Sequence, residues 1–193
     1  MVTLSMQDWI AIGVMVLAAV VALAFWQFYR KKQSARLQQK FGTEYDRTVG
    51  ALGNRSKAEA ELKERELRVR KLDIVPLTTA EAARFTRDWS DLQGRFVDDP
   101  NGVVVQAGKL VRELMLKRGY PMGDFEHRAA DISVDHPAVV ENYRAAKAIA
   151  VRGESNSADT EELRKAVVHY RALFDELLET GDGVPVTKEL VIH

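Results

Sequence analysis

The chain has 193 residues with 28 Lys/Arg against 28 Asp/Glu, and it contains no cysteine. That excludes disulfides, a lipoprotein anchor and a cysteine nucleophile. The zero net charge hides an asymmetry: residues 30–75 carry 13 Lys/Arg and 7 Asp/Glu, a net of +6, whereas residues 76–193 carry 15 and 20, a net of −5.

Residues 1–8 form a short leader with one charge, Asp8. Residues 9–29 follow as a nearly unbroken apolar run. From Trp9 to Phe28 there is no charge, and Arg30, Lys31 and Lys32 come directly after it. About 20 apolar residues at ~1.5 Å each span a ~30 Å hydrocarbon layer. The run therefore reads as a transmembrane helix. Trp9 at one end, with Trp26 and Tyr29 at the other, marks the two headgroup levels. Trp9, Trp26, Tyr29, Arg30, Lys31 and Lys32 are the expected membrane-interface residues. The cations on the distal side place residue 30 onward in the cytoplasm and residues 1–8 outside. Ala22-Leu23-Ala24 offers a signal-peptidase pattern, and secretion after cleavage is the alternative. The apolar run is longer than a signal core, however, and no cation precedes it.

Residues 30–76 read as a basic juxtamembrane spacer, its cations suited to an anionic leaflet. The membrane helix is expected to continue into it, with Phe41 and Tyr45 one turn apart, until Gly50 and Gly53-Asn54 break it. Residues 56–72 read as a mostly solvated helix. Glu59/Lys63, Glu61/Arg65, Glu64/Arg68 and Glu66/Arg70 stand in the favourable i,i+4 order, and Leu62 and Leu67 are the only large apolar residues of its middle. The interleaved glutamates argue against RNA, and the acidic remainder argues against nucleic acid as a partner generally.

Residues 77–180 read as a bundle of four to five helices, so the class is all-α. Thr78 and Glu81 make a T-x-x-E capping box. Ala82, Phe85, Trp89, Leu92 and Phe96 recur at spacings of three and four, the signature of one buried face. Asp99 at N-cap with Pro100 at the first helical position opens the next helix, which carries Val103, Ala107, Leu110, Val111 and Leu114. Gly119 and Pro121 stop it. A short helix is expected over 124–132, and Asp135-His136-Pro137 reads as the start of another, with Asp135 capping. Val139, Val140, Tyr143, Ala146 and Ile149 face inward there. The last helix, about 160–179, carries Leu163, Ala166, Val167, Tyr170, Leu173, Phe174 and Leu177. Residues 181–193 form an apolar-rich tail.

Phosphate-binding glycine loops, H-E-x-x-H and dinucleotide fingerprints are all absent. No catalytic residue, metal ligand or cofactor is therefore expected. Asp98, Asp99, Asp135, His136 and His169 are the residues an enzyme or metal-site alternative would have to use. Phe96, Asp98, Asp99, Tyr120 and Phe125, in turns rich in aromatic and acidic groups, are the candidate partner contacts.

Six stretches carry a resemblance: Phe41-Gly42 with Glu44-Tyr45-Asp46-Arg47; Ala58 to Leu62 with Lys71 to Ile74; Arg95-Phe96-Val97-Asp98-Asp99-Pro100; Arg118-Gly119-Tyr120-Pro121; Ser133 to Pro137; and His169-Tyr170-Arg171 with Leu173-Phe174. Together they resemble a bacterial family of small single-span membrane proteins with no assigned activity. The resemblance implies a bacterial inner-membrane origin and carries no site residue with it. The expectation is a non-enzymatic, membrane-tethered scaffold module, with the bilayer and another protein as partners.

Overall fold

The computed structural model describes the backbone of residues 6–178 and the side chains from Met15 to Leu178. Among these, the regular elements are eight helices: α1 (Met6–Phe41), α2 (Thr43–Leu52), α3 (Arg55–Val69), α4 (Thr79–Gly94), α5 (Pro100–Lys117), α6 (Phe125–Asp135), α7 (Pro137–Glu154) and α8 (Thr160–Leu177). The all-α expectation holds, and the tail from residue 181 lies outside the described residues. The chain divides between Lys40 and Phe41 into two compact units.

The first unit is α1 up to Lys40. Among the described residues no helix is long and apolar enough to cross a membrane. The described side chains contain only Met15 to Tyr29 of the apolar run, 15 residues, short of the ~20 a bilayer needs. The large apolar side chains along it, from Met15 to Tyr29, are all more than half exposed. The Arg30 guanidinium lies 4.9 Å from the centre of the Trp26 ring, one turn back on the same face.

The second unit begins at Phe41. Gly42, at φ +51°, ends α1 earlier than the expected glycines. Gly50 is instead helical, inside α2. Gly53, at φ +60°, caps α2 through an N–H donated to the Val49 carbonyl, and Asn54 caps α3 by accepting from the Lys57 N–H. Here α2 and α3 lie against each other, α3 packs on α6, and α2 packs on α7. The expectation of a mostly solvated charged helix is corrected in part. Leu62 and Ala58 are fully buried and Val69 nearly so, while Leu67 is exposed. Spaced four and seven apart, these three small or medium residues make a narrow stripe that a shallow partner surface covers. Of the expected i,i+4 pairs, Glu61–Arg65 forms at 3.1 Å. Arg68 turns to Asp131 on α6, at 2.9 Å.

The five helices α4–α8 form the bundle. α8 sits between α5 and α7, α4 rests on α5, and α6 rests on α7. The expected apolar faces meet in one core, with Phe85, Trp89, Ala107, Val111, Leu114, Ala146, Leu173 and Phe174 at its centre. Trp89 and Phe174 stack with ring centres 4.6 Å apart. The Trp89 indole nitrogen is buried without a hydrogen-bond partner, so the ring is held by packing and by the Arg171 guanidinium 5.7 Å from its centre.

The helix starts follow local chemistry. The Thr78/Glu81 capping box is complete, and Asp99 accepts from the Gly102 N–H at 2.8 Å with Pro100 in the first turn. Asp159 and Glu162 make a second complete box. One expected cap is corrected. Asp135 is the last residue of α6, and the shared boundary residue His136 precedes Pro137 without making a side-chain cap. The acid stands one position too early to reach the first-turn amides of α7.

The first box carries a pH prediction. Lys117 at 2.7 Å and the Thr78 hydroxyl and amide hold the Glu81 carboxyl at about 2, down from 4.5. A carboxyl lowered by folding adds stability that is complete above its unfolded value and is lost as pH falls toward its folded value. The stability of wild type over Glu81→Gln should therefore shrink between about pH 4.5 and pH 2. Paired denaturation curves across that window check this. A constant difference overturns it.

Candidate functional site

A buried acid stands where α2, α3 and α7 meet. Glu44, in the first turn of α2, is 1% exposed. Tyr45 beside it and Thr48 one turn on are buried too, so the face of α2 that packs inward carries the carboxylate in with it. One oxygen accepts from Arg65 Nη1 on α3 at 3.1 Å and from Arg144 Nη2 on α7 at 3.0 Å. Each arginine keeps a second carboxylate, Glu61 for Arg65 and Glu126 for Arg144. Burial alone would lower the Arg144 pKa, but Glu126 and Glu44 outweigh it and the guanidinium is held above its usual value. Glu44 Oε2 and Arg144 Nε are buried without hydrogen-bond partners. Beside this cluster, the Tyr45 hydroxyl donates to Glu59 Oε1 at 2.9 Å and accepts from Arg55 Nε at 2.8 Å. Burial and the neighbouring Glu59 carboxylate raise the Tyr45 pKa.

Arg144 also lines an open groove of about 580 Å³ between α6 and α7, with Arg47 of α2 at its rim. Phe125, Ala148 and Val151 supply apolar surface, and Lys147 and Glu141 join Arg47, Arg144 and Glu126 as its charges. Phe125 is half-buried, its ring 4.7 Å from that of Tyr143. A second groove, of about 390 Å³, runs between α4 and α5 among Asp88, Asp91, Arg95, Gln106, Lys109 and Glu113. Arg95 bridges it by donating to Gln106 Oε1 at 2.9 Å.

The residues expected at a site are spread over the bundle. Phe96, Asp98 and Asp99 share the α4–α5 turn. Phe96 is half-buried against the core, Asp98 is exposed, and Asp99 is spent on its cap. Tyr120 is a correction. At 1% exposure it belongs to the core, because the chain turns inward after Gly119, and it offers no surface to a partner. Of the partner candidates, Phe125 lines the α6–α7 groove. Trp26 and Arg30 are neighbours on α1; Tyr29, Lys31 and Lys32 lie beside them, and Trp9 lies outside the described side chains.

The enzyme or metal set does not come together. His136 Nδ1 pairs with Glu176 Oε1 of α8 at 3.0 Å, and His169 Nδ1 pairs with Asn142 Oδ1 of α7 at 2.8 Å. Asp135 ends α6 and Asp99 caps α5. Among the described residues no group of three or more His, Asp or Glu is arranged to hold a metal ion.

Sequence reasoning missed the Glu44 cluster, whose members are 21 and 100 residues apart. The available signal was an acid beside an aromatic, one turn before Thr48 on the inward face of α2. Compared with known proteins, the chain matches no family profile, no curated protein and no solved structure.

Proposed function

We propose that this protein is a non-enzymatic helical module tethered to a bacterial inner membrane, its bundle on the cytoplasmic face, where it holds another protein. The observation that carries the reading is the uncharged run from Trp9 to Phe28 ended by Arg30, Lys31 and Lys32. Such a run satisfies its own backbone as a helix in lipid, and cations stop it at the cytoplasmic headgroups. The Trp26–Arg30 stack at 4.9 Å supports an interfacial level at that end of the run, since both side chains favour the headgroup zone.

The tether works by confinement. A module held at the bilayer meets membrane-bound partners at a raised effective concentration, so weak contacts suffice. Partner contacts are assigned to Phe125 and its groove and to the turn of Phe96, Asp98 and Asp99. Both offer half-buried aromatic surface beside charged groups, the composition that interfaces favour.

The test is membrane extraction combined with topology reporters. The full chain should stay with the membrane fraction through alkaline carbonate washing. A reporter that is active only in the cytoplasm should be active when fused behind Leu178, and a periplasm-dependent one should be silent. A carbonate-soluble polypeptide beginning at Phe25, or the reverse reporter pattern, overturns the reading.

A further inference from the structure

Acids and bases alternate along the sequence of α3, and folding sorts them by face. Glu59 and Glu66 are 9% and 7% exposed. Glu59 accepts from the Tyr45 hydroxyl and from Arg55 Nε. Glu61 turns to Arg65, while Arg65 also reaches Glu44 and Arg68 reaches Asp131. The inward side thus takes most of the helix's acids and commits them to partners within the unit. Residues 57, 60, 64, 67 and 71 recur at spacings of three and four, so they form one stripe, and all five are exposed. Lys57 and Lys71 end that stripe, with exposed Arg70 and half-buried Lys63 along one side of it. The face therefore carries four cations against one acid, Glu64, over ~21 Å of helix. At its middle Leu67 is held 54% exposed, next to Ala60 one turn before.

An apolar side chain kept in water among cations suits a helix lying in a membrane interface. The leucine and the long basic stems enter the headgroup layer, and the charged ends meet lipid phosphates. Nucleic acid is served less well. Residues 55–73 contain no aromatic ring on which a base could stack, and Leu67 gains nothing among phosphates.

We propose that the outer face of α3 lies on an anionic lipid surface, with Leu67 seated among the headgroups and Lys57, Lys63, Arg70 and Lys71 pairing with lipid phosphates and carboxylates. The proposal rests on the tethered reading, which supplies the bilayer. At ~1.5 Å per residue, the helical stretch from Tyr29 to Phe41 holds the start of the second unit at most ~18 Å from the headgroups. That is about the radius of a unit of this length, so an outer face can touch the surface. Each base near such a surface strengthens the attraction about fivefold.

The test uses the full chain in vesicles of phosphatidylcholine, alone or with about 30% phosphatidylserine to imitate an anionic leaflet. The chain has no natural cysteine, so Leu67→Cys takes a single polarity-sensitive fluorophore. Val168→Cys on α8, also 54% exposed, is the control. Phosphatidylserine should raise emission at position 67 at least about twofold and leave position 168 unchanged. Salt at about 1 M, where screening acts within ~3 Å, should suppress the rise. Changing Lys57, Lys63, Arg70 and Lys71 together to Gln should abolish it, whereas Lys57→Arg with Lys63→Arg and Lys71→Arg should keep it. A chain that does not float with neutral vesicles overturns both the tether and this proposal. A chain that floats while position 67 gives the same emission in the two lipids overturns this proposal alone. So does an equal rise at position 168, or an equal rise at position 67 when single-stranded RNA is added to the chain in detergent.

Discussion

Glu44→Ala is expected to destabilise the second unit by about 3 kcal/mol. Removing one member of a buried ion cluster costs ~3–5 kcal/mol, because the partners left behind are desolvated without compensation. Arg65 and Arg144 have side chains only 12% and 11% exposed, and both rely on the same Glu44 oxygen. The cost falls at the low end because Glu61 and Glu126, the second partners, remain and are more exposed. Urea denaturation of the full chain in detergent reads the loss. The Glu44/Arg144 double-mutant cycle should return a coupling of ~1–3 kcal/mol, the range for directly bonded buried groups. A Glu44→Ala cost below about 0.5 kcal/mol, the level of an ordinary surface substitution, would mean that the cluster is solvated and does not hold α2.

The same cluster has a weakness that separates holding from stabilising. Glu44 Oε2 and Arg144 Nε lack partners, and unpaired buried polar atoms cost ~1–3 kcal/mol each. Charge here is a poor source of stability and a good source of specificity. It admits one register of α2 against α3 and α7, where a purely apolar contact would tolerate sliding. That matters for a chain in which α2 follows α1 after a single residue, Gly42.

The parts of the fold legible in the sequence are those that local rules determine. The 3-4-3-4 spacing of Ala82, Phe85, Trp89 and Leu92 needs only helical periodicity to be read. Thr78/Glu81 and Asp99-Pro100 act within one turn, and the structure keeps both. The misreadings came where a distant surface decides. Leu62 reads as too isolated for a core until α6 and α2 are placed beside α3. Tyr120 reads as an exposed turn residue until the chain folds back after Gly119. The Glu44 cluster is assembled from three helices, and no spacing rule connects its members. Asp135 failed for a smaller reason: two helices share the boundary residue His136, and a one-residue shift removes a cap.

Gly119→Ala is expected to cost at least about 3 kcal/mol, from two separable effects. Its φ is +95°, where an L side chain is strained by ~1–3 kcal/mol. A methyl group there would also lie 2.3 Å from the Asp73 carbonyl oxygen, which is backbone and cannot swing aside. Relief requires moving the connector. The connector is held by the Val75 bonds to Arg118, the residue next to Gly119. The strain therefore spreads into Arg118, which is buried and ties the Leu177 carbonyl as well. Gly53→Ala isolates the first effect, because φ there is +60° and nothing lies within 4 Å of the added carbon. It should cost only the left-handed strain, ~1–2 kcal/mol. At ~2–4 °C per kcal/mol for a chain of this size, Gly119→Ala should lower the melting temperature by about 6–12 °C and Gly53→Ala by about 2–8 °C. Equal shifts in the two variants would mean that the connector yields freely at Asp73, and that the close approach of Gly119 contributes nothing to holding it.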